Sequence, residues 1–155
     1  MRFLTREEHQ YAPFIGSAIF FALFVGFPLG LTLAHAAEQG SGLGGRVPQM
    51  IQVHGHIQLF GWFGLFIMGM GYRLISRFTA VKHRHNWFVP VTLGCAVTGL
   101  IARGIGQAFA DEGTTFTVLL AASGALEVVA VALFASETLR ALLLGRPDEF
   151  GYKPF

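Results

Sequence analysis

Apolar and polar positions along the chain divide it into four long apolar runs joined by short polar connections. The runs span about Phe14 to Ala36, Ile51 to Leu74, Phe88 to Ala110 and Phe116 to Ala135, the last with a helical extension towards Leu144. Each supplies the roughly 20 residues that a helix needs to cross a hydrocarbon core about 30 Å thick. The pattern predicts an all-α membrane protein, a bundle of four transmembrane helices running up and down. The first run ends Ala34-His35-Ala36, a small-x-small sequence of the kind cut after a signal peptide. Signal h-regions hold only about 7–15 apolar residues, so this longer run reads as a true span.

Composition agrees. Apolar residues make up 53% of the chain and charged residues 13%, against roughly 25% charge in soluble domains. With 155 residues and four spans, little chain is left for a soluble domain. A soluble enzyme, a disordered tail and a nucleic-acid binder are excluded. The net charge of +2 comes from basic loops beside a membrane. Arg2 and Arg6 precede the first span; Arg73, Arg77, Lys82 and Arg84 follow the second; Arg140, Arg146 and Lys153 follow the fourth. The opposite loops carry Arg46 beside Glu38, Asp111 and Glu112. The positive-inside rule places both termini in the cytoplasm, and the expected location is a bacterial inner membrane. Cys95 stands alone in an apolar run, so it is a packing residue with no intrachain disulfide to make.

Polar residues inside the spans are costly and mark candidate sites. Six occur, namely His54, His56, Gln58, Arg103, Gln107 and Glu127, with His35 at the outer end of the first run. Counted at 1.5 Å per residue, His54 and His56 fall in the outer first turns of the second helix. Arg103 lies about 10 Å from the outer end of the third helix, and Glu127 is the one group near the middle. His9, His83 and His85 fall in cytoplasmic segments and read as solvated.

The densest cluster is Val53-His54-Gly55-His56-Ile57-Gln58-Leu59-Phe60-Gly61-Trp62. Residues two apart on an α-helix point about 200° apart, so the two histidines address different flanks. Neutral imidazole is a common metal ligand and an axial ligand of haem iron. Gly55, Gly61 and Gly64 would admit a flat macrocycle, and Phe60, Trp62 and Phe63 would wall it. The plain alternative is that the histidines bond neighbouring helices together. Arg103 needs an anionic partner, which Glu127 or a haem propionate would supply. Glu127 is alternatively a protonated carboxyl in a proton relay. Gly26-x-x-x-Gly30, with Pro28 between, predicts a small packing face and a kink in the first helix.

The stretch Gln49 to Trp62, with Gly69, Arg77-Phe78 and Gly99-Leu100-Ile101-Ala102-Arg103, resembles the NnrS family of polytopic haem- and copper-containing membrane proteins linked to nitric-oxide metabolism. His54, His56, Phe60, Gly61 and Arg103 fit its H-x-H-x-x-x-F-G pattern and later Gly-Arg-type motif. That family has about twelve spans, in an arrangement similar to the haem-copper oxidases, where three groups of four helices surround an axis. The resemblance therefore implies that this chain is one third of such a ring and closes as a homotrimer. It implies a haem b between His54 of one protomer and His56 of the next, with Gly55, Gln58, Phe60 and Arg103 around it and copper a further candidate on His35. The implied function is electron transfer or the handling of nitric oxide or oxygen. A non-catalytic copper-binding or assembly module in the membrane is the second expectation.

Overall fold

The computed structural model describes residues 10–40, 44–79, 81 and 87–145. Four helices in it are long and apolar enough to cross a membrane: α1 (Ala12–Gln39), α2 (Val47–Thr79), α3 (Phe88–Ala108) and α4 (Thr114–Leu144). The four runs read from the sequence are these helices. Their ends differ, most at α2, which starts one turn before Ile51 and continues past Leu74. A 3₁₀ turn, Gly44–Arg46, leads into α2, and Pro48 sits in its first turn, where the missing N–H has no cost. The third helix stops at Ala108, and a second 3₁₀ turn, Ala110–Glu112, leads to α4.

Helix α1 carries Pro13 in its first turn and ends at Gly40, which takes the left-handed conformation at φ +63° that glycine adopts without strain. Pro28 does not stop it. Phe21–Gly26 is π-helical, immediately before the turn that contains Pro28. A proline ring clashes with the carbonyl four residues earlier, here that of Phe24, and the wider π turn lies where that clash would fall. The expected disturbance is thus a π turn. Helix α2 has a matching one at Ile57–Gly64, and the two are in contact, with Phe21 packed over Gly61.

Glycines set the register of α1 on α2. A Cβ on Gly69 would meet Phe14, one on Gly61 would meet Phe21, one on Gly26 would meet Gln58, and His54 lies over Gly30. Partners thus descend along α2 as they rise along α1. The same holds for α3 and α4, where Gly99 lies against Ser123 and Glu127, and Gly106 against Phe116 and Leu120. Phe14, Ala18, Phe21, Val53, Ile57, Leu65, Met68, Tyr72, Val89, Ala96, Leu100 and Ala130 form the shared core. Cys95 packs against its edge, as a small apolar residue does. Tyr72 donates to Thr92 Oγ1 at 3.1 Å, and Thr92 donates to the Phe88 carbonyl at 2.9 Å. Large apolar side chains such as Phe24, Phe27, Leu31, Leu59, Val128 and Leu143 point outward, as hydrocarbon surroundings permit. Arg2, Arg6, Lys82, Arg84, Arg146 and Lys153, which carry most of the orientation argument, lie outside the described residues, as do His9, His83 and His85.

Candidate functional site: two histidines on opposite flanks of α2

His54 and His56 both lie in the α-helical Val47–His56 part of α2, so the divergence of about 200° applies to them. Each has a partner within its own chain, on a different helix. His54 turns to α1 and donates Nδ1–H to the Gly26 carbonyl at 3.0 Å. Its ring lies across Gly30, where a Cβ would stand 2.7 Å from Cε1. Gln58, one turn along, occupies the corresponding space over Gly26. The spacing is the same on both helices: glycines four apart on α1 receive polar side chains four apart on α2. Gly26-x-x-x-Gly30, expected as a helix-packing face, is a seat for His54 and Gln58.

The Gly26 carbonyl only accepts, so the His54 proton is on Nδ1. In the neutral ring, Nε2 then carries the lone pair, and it has no hydrogen bond to any described residue. Phe27 and Leu31, the residues following the two seat glycines, are 67% and 73% exposed. The free nitrogen lies against α1 at Gly30, 3.3 Å from where a Cβ there would stand.

His56 turns the other way, to α4. It donates Nε2–H between the two carboxylate oxygens of Glu127, 3.0 Å from each. The Glu127 side chain is 9% exposed and that of His56 23%. Gly99 of α3 makes room for the carboxylate, since a Cβ there would be 2.9 Å from Glu127 Cγ. Phe60 lies nearly parallel to the His56 ring, at 5.7 Å between centroids and 16° between planes. The nitrogen of His56 that faces away from its helix is thus engaged.

Three expectations change. The sequence puts the histidines shallow and Glu127 deep; they share a level, because α2 begins at Val47 and carries His54 seven residues, about 10 Å, into the helix. An Arg103–Glu127 pair does not form, because Glu127 is taken by His56. Lastly, the divergence of the two histidines requires no second protomer, since each is bonded within one chain.

The remaining candidates are scattered. Arg103 is half-buried on the face of α3 that bears Gly99 and Gly106, towards α4 and away from the His54 seat, and it is paired with no described carboxylate. His35 is exposed. Five residues beyond Gly30, it leaves α1 about 140° from the His54 seat. Gly55 faces open space, Gly61 lies under Phe21, and Gly64 lies against Phe60, so Gly55 alone among these glycines offers free room. Gln107 is buried beside Gly106. No group of three or more His, Cys, Asp or Glu side chains converges among the described residues. No single motif announces the seat glycines or the role of Glu127; the matched four-residue spacings of Gly26/Gly30 and His54/Gln58 are the signal the sequence offers. No family model matches the chain, and neither a curated protein nor a solved structure matches it.

Proposed function

We propose that this is a membrane-embedded haem b protein in which His54 is the axial ligand, acting in electron transfer or in nitric-oxide or oxygen handling. The observation that carries the reading is the His54 Nδ1–H bond to the Gly26 carbonyl, with Nε2 left without a hydrogen bond to any described residue. Metal-bound histidines characteristically donate their other ring N–H to a carbonyl or carboxylate, which fixes the tautomer and holds the ring in place. His54 alone offers one imidazole donor in this tautomer, the kind of ligand that haem iron takes. Copper on His35 fits less well, because no second ligating side chain stands with it among the described residues.

In this reading the chain's residues perform three tasks. The Gly26 carbonyl orients the imidazole. Gly30 admits it against α1, and Gln58 closes the seat one turn away. Haem, when bound, supplies the redox-active iron.

The up-and-down arrangement, the cytoplasmic termini, the bacterial inner membrane and the homotrimer belong to the same proposal. Orientation rests on the Lys/Arg distribution. The trimer rests on the NnrS resemblance of residues 49–107 alone, and the mass of the detergent-solubilised complex tests it.

The second reading, a non-catalytic copper-binding or assembly module, draws on the fact that both imidazoles tie α2 to neighbouring helices. One absorption spectrum of the purified protein separates the two. A Soret band that disappears in His54→Ala supports the haem reading; a colourless protein from cells supplied with haem overturns it.

A further inference from the structure

We propose that Arg103 and Gln107 bind an oxyanion of the phosphate class, carried by a phospholipid headgroup or free in solution, at the end of the bundle where α3 turns into α4. The proposal does not depend on the haem reading, since the His54 seat lies on the α1 flank of α2. It starts from a charge without a partner. Arg103 lies within a helix long and apolar enough to cross a membrane, five residues, about 7.5 Å, before its last residue, Ala108. An ionised side chain at such depth pairs with an opposite charge or marks a binding site.

Its direction is inward. Thr92 and Ala96, eleven and seven residues earlier on α3, are 0% exposed and leave the helix within about 20° of Arg103. Gly99, against which Glu127 packs, is about 40° away. Arg103 prolongs this buried line, yet it is half-buried where the others are sealed. The carboxylates of α4 and of the α3–α4 turn are engaged elsewhere: Glu127 with His56, Glu112 with Arg46, Asp111 with Gln49 and Glu137 with Arg140. Neither Arg103 nor Gln107 makes a side-chain hydrogen bond or ion pair with a described residue. Nor are their polar atoms shut in. Among the described residues, the sealed side-chain atoms that lack a partner are Gln10 Oε1, Gln49 Oε1 and Thr138 Oγ1.

Gln107 is the second, independent sign. It is 9% exposed, so a polar amide lies nine-tenths buried with no partner. Residues four apart are neighbours on a helix, which sets this amide beside the guanidinium. The guanidinium presents parallel N–H donors that match two oxygens of one anion, and the amide NH2 adds a further donor. A phosphate offers separate oxygens to both arms of the fork and to the amide. A carboxylate has two oxygens to divide among the same donors, and a halide has a single atom. Phosphates also line the surface of a bilayer, where a long cationic side chain extended along its helix reaches them from within the apolar layer. Binding forms hydrogen bonds alone and displaces no group of the chain.

The test uses the full-length protein, delipidated in a neutral detergent. Inorganic phosphate and phosphatidylglycerol are the probes, each compared with chloride at equal ionic strength by native mass spectrometry and by the unfolding midpoint. The expected result is one saturable ligand per chain and a raised midpoint when it is bound. Arg103→Gln should bind roughly tenfold more weakly or worse, the loss expected of a hydrogen bond to a charged group. Gln107→Leu should weaken binding less, and Arg46→Gln, which removes an exposed charge already paired with Glu112, should leave it unchanged. Binding of the lipid without binding of free phosphate assigns the oxyanion to a headgroup, and the reverse assigns it to solution. Before any ligand is added, Arg103→Gln should unfold no earlier than wild type, because the charge it removes has no partner. Three results would overturn the proposal: neither probe binds saturably, Arg46→Gln weakens binding as much as Arg103→Gln, or ligand-free Arg103→Gln is less stable than wild type.

Discussion

The two flanks of α2 take the same side chain, two residues apart, and give it opposite chemistry. On the α1 flank, His54 bonds a backbone carbonyl, which cannot move independently of its helix and cannot carry charge. That bond fixes a proton on Nδ1 and leaves Nε2 available. On the α4 flank, His56 bonds a buried carboxylate through Nε2, a contact strong in low-dielectric surroundings, and no outward nitrogen remains. The partner, and not the H-x-H motif, decides whether the outer ring nitrogen is free or bonded. The comparison also explains the glycines. Gly30 accommodates an imidazole and Gly99 a carboxylate stem, and both lie on helices facing α2 or α4 at the level of the site.

The flank with Glu127 should be the more fragile. Removing the acceptor of a buried hydrogen bond leaves the donor unsatisfied and costs about 1–3 kcal/mol, whereas losing the hydrogen bond at His54, whose partner is a backbone carbonyl, costs about 1 kcal/mol. Glu127→Ala should therefore destabilise the protein more than His54→Ala in SDS-titration unfolding. Combining His56→Leu with Glu127→Leu should recover much of the loss, because an apolar pair needs no compensation. Additive effects of the two substitutions in that cycle would show that His56 and Glu127 are not coupled.

How far the sequence discloses this depends on what sets each feature. The four spans are legible because apolar length alone decides them, and the divergence of His54 from His56 follows from helical periodicity. The pairing of His56 with Glu127 joins positions 71 apart and depends on how α2 lies against α4, which no local pattern records. Depth is hidden for a local reason. The apolar run begins at Ile51, which leaves Val47, Pro48 and Gln49 in the connection, but a proline in the first turn opens a helix as readily as it ends one. The π turn in α2 has no proline to announce it. Its counterpart in α1 has Pro28, which gave notice of a disturbance without its form.

A milder intervention probes the His54 flank directly. In Gly30→Ala the new Cβ would lie 2.7 Å from His54 Cε1, so the imidazole must leave its seat or α1 must move. Overpacking of this kind costs about 1–3 kcal/mol, partly offset by the roughly 1 kcal/mol by which alanine exceeds glycine in helix propensity. The net expectation is a modest loss of stability and, on the haem proposal, a large loss of haem occupancy. Gly55→Ala is the counterpart on α2, one residue from His54 and facing open space. It should be neutral or slightly stabilising and leave occupancy unchanged. Equal behaviour of the two variants in thermal unfolding and haem content would mean that the seat does not position His54.

The smallest effect lies where α2 begins. Arg46 pairs with Glu112 and lies over the Phe109 ring at 5.2 Å, while Gln49 donates to Asp111. These contacts tie the start of the histidine-bearing helix to the turn joining α3 and α4. All are near the surface; the Arg46 and Glu112 side chains are 50% and 42% exposed. Exposed ion pairs are worth about 0–1 kcal/mol and an exposed cation–π contact about 0.5–1 kcal/mol, so Arg46→Ala should cost on the order of 1 kcal/mol. The ionic part should fade with salt, because the screening length falls to about 3 Å at 1 M, while the aromatic part persists. The gap between wild type and Arg46→Ala in unfolding midpoint should therefore narrow from low to high salt without closing. The corresponding gap for Glu127→Ala, whose carboxylate is buried from the ions, should stay constant. A Glu127→Ala gap that narrowed in parallel would place the His56 pair within reach of solvent and erase the contrast between a buried pair and a surface tie.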